Sequence, residues 1–133
     1  MGRVNAQQAV AKRLEAIDDI RDKIEFGRVD SSEAEELVRH LLKLLEVETH
    51  SDVREDILDA VSLLTLRFDG LETAWDMLVS QMPTMSNNEL EFAIDTLAMS
   101  GDTSFCDTIK LFLTHEDAVV RRTAAGALAA LKI

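Results

Sequence analysis

The sequence predicts an all-α chain in which one capping helix is followed by three helix pairs, and three observations carry that prediction. Apolar residues recur at helical spacing, as in Phe105, Ile109, Phe112 and Leu113, and again in Val119, Val120, Ala124, Ala127, Leu128 and Leu131. One proline (Pro83) and five glycines in 133 residues leave few breakers, so helices can be long and loops short. Finally, the corner Thr49-His50-Ser51-Asp52 with Val53-Arg54 has a counterpart in Thr114-His115-Glu116-Asp117 with Val120-Arg121. The two Val-Arg pairs lie 67 positions apart (120 − 53), which leaves room for one intervening unit of similar size.

The elements follow in chain order. Asn5–Phe26 carries one apolar stripe (Val10, Leu14, Ile17, Ile20, Ile24), and charges of alternating sign on its other side make a solvated outer face. A capping helix is its natural role, because the end of a repeat array must present a polar side to water. Gly27 through Asp30 end it. Ser32 and Glu35 then have the spacing of a capping box for a helix over Ser32–Val47, with Leu37, Leu41, Leu44 and Leu45 as its stripe. After the first corner comes a helix over Asp52–Leu66 with Ile57, Leu58, Ala60, Val61 and Leu64 inward.

The middle pair lacks the Val-Arg corner. Leu71, Ala74, Trp75, Leu78, Val79 and Met82 mark a helix over Gly70–Met82, which Pro83 stops. Ser86 or Asn87 caps the helix over 89–99, and Ser100-Gly101 closes it. Asp102 opens the last pair. Glu116 and Asp117 sit at the N-terminus of its second helix, where the helix dipole favours carboxylates.

The residues Asp102, Asp117, Val120-Arg121 and the small side chains Ala124, Ala125 and Ala127 resemble a HEAT-type helical repeat. The resemblance implies a short α-α superhelix forming one domain over residues 1–133: a cap over 1–30 and repeats over about 31–69, 70–101 and 102–133. These units are shorter than the roughly 40–47 residues of most such repeats, as short bacterial-type units are. An irregular bundle of seven helices is the competing arrangement. The resemblance also implies a structural role for Arg54 and Arg121, pairing with acids or carbonyls of a neighbouring unit.

Composition narrows the function. The net charge is −11, and the pI near 4.6 opposes contact with a nucleic-acid backbone or an anionic membrane; a basic protein partner is favoured, with solubility alone as the bland alternative. Cys106 is the only cysteine, so no intramolecular disulfide forms and a reducing compartment is expected; beside Phe105 it reads as a buried thiol rather than a nucleophile. The first residues contain no signal peptide and no apolar block of about 18 residues. Ala6 stands where a lipidation motif after Met1-Gly2 needs Ser or Thr. A cytoplasmic location is the expectation.

No catalytic constellation, phosphate loop or Cys-x-x-Cys pair is present, and no cofactor or metal is implied. His40 and Glu36 do not have the spacing of carboxylate-bridged metal sites in bundles, and His50 and His115, in matching turns, read as structural. The chain is therefore expected not to be an enzyme.

The charge is placed unevenly. Residues 37–101 hold 12 acids against 4 bases, whereas residues 102–133 balance at 4 against 4. Asp52, Glu55, Asp56 and Asp59 on one helix, and Asn88, Glu91 and Asp95 on the next, form the expected acidic ridge for a partner. Trp75 joins the partner-binding candidates if exposed, and otherwise is a packing anchor.

A small, acidic helical-repeat protein is similar to the immunity proteins of bacterial toxin systems. That similarity implies a protein that neutralises a basic, nuclease-type toxin by occluding its active site, without touching nucleic acid or membrane itself. The other reading is a scaffold or assembly subunit acting through its C-terminal unit, where Ala125, Ala129, Ala130 and Ile133 leave the end poorly capped.

Overall fold

The computed structural model describes residues 6–68, 71 and 75–131. Their regular structure is entirely helical: α1 (Ala6–Glu25), α2 (Ser31–Val47), α3 (Ser51–Arg67), α4 (Trp75–Gln81), α5 (Asn87–Met99), α6 (Cys106–Lys110) and α7 (Ala118–Leu131). Short 3₁₀ turns lie at Met82–Thr84, Thr103–Phe105 and Leu111–Thr114. Expectations that fall on Gly70, Ala74 and Ile133 lie outside the described residues.

Local chemistry sets the helix ends. α1 stops where Gly27 adopts φ +69°, letting the Arg28 N–H reach Lys23 O at 2.9 Å and the Gly27 N–H reach Ile24 O at 3.2 Å. This is the closure that a left-handed residue after a helix permits. α2 begins one residue earlier than Ser32, and its capping box is Asp30 with Glu33 rather than Ser32 with Glu35. The Asp30 carboxylate accepts the Glu33 N–H at 2.9 Å, and the Glu33 side chain accepts the Asp30 N–H at 3.5 Å. Asp30 has extended backbone (ψ 173°), which a cap requires, while Ser32 is already helical.

α2 buries Ala34, Val38, Leu41, Leu42 and Leu45, a stripe at three- and four-residue spacing. Burying each of those leucines contributes about 1.5–3 kcal/mol. In the packing, α1 lies against α3, α3 against α5 and α5 against α7, while α2 packs on α3 and α4, α4 on α5, and α6 on α7. One core runs through all of them, from Ile17 and Ile24 of α1 to Leu128 and Leu131 of α7.

The last pair departs from the regular stripe predicted for it. Its first helix breaks into a 3₁₀ turn, the short α6 and a second 3₁₀ turn. A 3₁₀ turn advances each residue by about 120° instead of 100°, so residues after Lys110 leave the α-helical face. Ile109 is fully buried, whereas Leu113 is 39% exposed and Leu111 is 74% exposed. Cys106, expected buried, is only half-buried, with a free thiol packed at the edge of the core.

Candidate acidic partner-binding face

Two corners position α3 and α7. At the first, the Nδ1 of His50 accepts the Asp52 N–H at 3.2 Å and caps α3; at the second, the Nδ1 of His115 accepts the Asp117 N–H at 3.0 Å. With Nδ1 engaged as a turn acceptor, both histidines do the same structural job. Arg54 stitches the first corner by donating from Nη1 to Leu45 O (2.7 Å) and Glu48 O (2.9 Å), and from Nε to the Glu89 carboxylate of α5 (3.0 Å). The Arg54 and Glu89 side chains are only 15% and 5% exposed. The sequence reading missed Glu89 as a cross-helix partner. Its signal was the acid in the first turn of α5, at the spacing where Ser86 caps the Glu89 N–H (3.2 Å).

The eight candidate partner-binding residues separate into four places. Trp75 is corrected: it is 7% exposed and belongs to the core, because it opens α4 on the side that packs inward. Asp52 is exposed at the start of α3 and lines an open groove with Val10 and Leu14 of α1. Asp56 and Asp59 face Arg21 of α1, whose Nη2 lies 2.8 Å from Asp59 and whose Nη1 lies 3.8 Å from Asp56 and 3.3 Å from Asp18. Burial pushes the Asp56 carboxyl above its ordinary range. Arg21 pulls it back in part, and the neighbouring Asp18, Asp59 and Asp52 add to the rise.

Glu55, Asn88, Glu91 and Asp95 come together. With Phe92 they line one cleft of about 220 Å³ between α3 and α5. The register of the two helices produces this: Glu55 lies one residue beyond Arg54, and Glu91 and Asp95 are four residues apart on α5, so they share a face. Among the described residues no Lys or Arg lies within 4 Å of the carboxylates of Glu55, Glu91 or Asp95. Burial against the cleft wall raises the Asp95 carboxyl above its ordinary range, and the like charge of Glu91 raises it further. The cleft therefore presents negative charge over an apolar floor, a setting suited to a guanidinium or ammonium with an aliphatic stem.

Among the described residues no group of three or more His, Cys, Asp or Glu has an arrangement that could hold a metal ion. No helix of the described residues is long and apolar enough to cross a membrane. Comparison of the chain with protein-family models, with curated proteins and with solved structures finds no significant match.

Proposed function

We propose that the chain is a non-enzymatic protein-binding module: a short HEAT-like superhelix whose acidic face receives a basic protein. The observation that carries this reading is the α3–α5 cleft, where Glu55, Glu91 and Asp95 face one another with no cation of the chain's own among the described residues. Like charges held together in this way favour a bound cation, and Phe92 offers the apolar surface for its stem. The proposed occupant is a Lys or Arg side chain of a basic toxin, nuclease-type in the preferred reading. The chain would act as its cytoplasmic immunity protein, covering the groups that otherwise hold substrate phosphates. Association of this kind is fast and sensitive to salt.

Affinity capture from the native source, followed by mass spectrometry, tests the reading. Wild-type chain is expected to retain a basic protein that is lost with the Glu91→Lys, Asp95→Lys double variant, whose helical circular dichroism stays unchanged. Equal capture of that protein by both chains would show the cleft to be irrelevant. A scaffold role is the second reading, favoured by the exposure of Leu111, Leu113 and Val119 in the last helix pair. A molar mass that rises with concentration in the absence of any partner would decide for it.

A further inference from the structure

We propose that the side of α7 turned away from α5 is a docking site for a helix of a partner protein carrying a glutamate in its first turn, with Arg121 as the receiving cation. The argument is an internal comparison. Arg54 and Arg121 each stand four residues after the residue that precedes their corner helix, donating the backbone N–H to His50 O at 3.0 Å and to Asp117 O at 3.1 Å. Each also aims Nη1 at two carbonyls that precede its helix, Leu45 O and Glu48 O for Arg54 and His115 O and Glu116 O for Arg121, at 2.7 and 2.9 Å in both cases. That anchoring leaves Arg54 Nε to take the carboxylate of Glu89, in the first turn of α5. Arg121 is exposed, and on it that anchoring leaves Nε and Nη2 without a partner among the described residues.

The surface around the two arginines corresponds as well. Towards α5, α3 presents Arg54, Ser62, whose hydroxyl meets that of Thr96 at 2.9 Å, and Thr65, which donates to the Met99 sulfur at 3.9 Å. Leu58, on the same stripe, is fully buried. The 67-residue offset (121 − 54) puts Ala125 at the place of Leu58 and Ala129 at that of Ser62, and both alanines are exposed. Among the described residues α7 packs chiefly on α5, α6 and the 3₁₀ turn at Leu111–Thr114, and Arg121, Ala125 and Ala129 stay exposed.

Charge selects the occupant. Arg121 and Arg122 are exposed and make no ion pair within 4 Å among the described residues, in a chain of net charge −11. An acidic helix start is their complement. A second copy of the chain fits worse: α1, the helix at the opposite end of the row, has no acid in its first turn, and two such anions repel.

The test uses the occupant that α3 already accepts. A fluorescent peptide of residues 86–99, held helical by a staple replacing Glu91 and Asp95, which make no hydrogen bond or ion pair with α3 among the described residues, is titrated with the full chain by anisotropy. Saturable binding is expected, weakened about tenfold or more by Arg121→Glu. The Glu89→Lys peptide should show the reverse preference, binding the Arg121→Glu chain and not the wild type. Absence of binding by the stapled peptide overturns the proposal, as does binding indifferent to Arg121, which would mean that the peptide displaces α5 from α3. Because this face is built on Arg121 and is separate from the acidic cleft, either outcome leaves the cleft reading standing or falling by its own experiment.

Discussion

Arg54→Ala should be far more damaging than Arg121→Ala, although the two arginines sit in matching corners and each donates to two backbone carbonyls. Removing Arg54 leaves the Glu89 carboxylate, 5% exposed, without its counter-ion, and also strips donors from Leu45 O and Glu48 O. Breaking a buried pair from one side costs about 3–5 kcal/mol, a large part of the ~5–15 kcal/mol that holds a domain of this size. Arg121 is exposed and surrenders two carbonyl bonds with no buried charge behind them, about 1–2 kcal/mol. Urea unfolding followed at 222 nm reads the difference, provided the denaturant slope is unchanged between variants. A double-mutant cycle with Glu89→Ala then isolates the pair, and the double variant should recover about 1–3 kcal/mol of the summed single costs. Equal, mild losses for both arginines, or strictly additive single costs at Arg54 and Glu89, would refute the account of how α3 is fastened to α5.

Three further outcomes are expected. Trp75→Ala should destabilise by about 3–5 kcal/mol in the same urea assay, the cost of emptying a core site, and should leave partner capture intact once the fold is saturated at low temperature. Gly101→Ala should cost only about 1 kcal/mol, because the strain of an L-residue at φ +73° is the sole penalty where nothing lies within 4 Å of an added Cβ. Asp95→Asn should raise the urea midpoint at pH 7. The Asp95 pKa is raised by burial and by Glu91, so the folded state binds the proton more tightly than the unfolded chain does; its stabilising contribution is present below the ordinary aspartate range and is lost as pH rises through the raised value. The advantage of the asparagine variant should therefore vanish in unfolding titrations carried below that ordinary range.

The helices were legible because their signal is periodic and local: Val38, Leu41, Leu42 and Leu45 can bury together only on a helix, and the few breakers leave no competing reading. Boundaries were less legible where two residues compete for one task. Asp30 and Ser32 both precede an acid by three positions, and the choice between them rests on the extended backbone at Asp30, which spacing does not encode. The α6 region failed for a related reason: a 3₁₀ turn differs from an α-turn by a single hydrogen-bond step, and that was enough to expose Leu113. Of the candidate face, the helices bearing the carboxylates could be named from sequence, but not which carboxylates already have a cation. That depends on how far Arg21 reaches from α1, a distance set by packing between segments more than 30 residues apart.

The placement of the arginines explains why a surplus of negative charge collects where it does. Arg13 of α1 grips Glu48 with two bonds of 2.8 and 3.1 Å, Arg21 of α1 reaches Asp56 and Asp59 of α3, and Arg54 of α3 reaches Glu89 of α5. Each is a clamp from one helix to the next segment it packs on, so these cations are committed to holding the row together. Burial pushes the Glu48 carboxyl up, but the Arg13 contact and the N–H groups of His50 and Thr49 outweigh it and hold the group below its ordinary range; its contribution persists above that range and is lost only as the pH falls through the depressed value. Asp95 is displaced in the opposite direction, since no clamp reaches it among the described residues. Asp56 and Asp59 of α3 thus share a cation within the fold, while Glu55, Glu91 and Asp95, which line the α3–α5 cleft, have none among the described residues. A partner's cation would there do for Glu91 and Asp95 what Arg21 does for Asp56 and Asp59, and Arg21→Gln should accordingly weaken stability without weakening the interaction at the cleft.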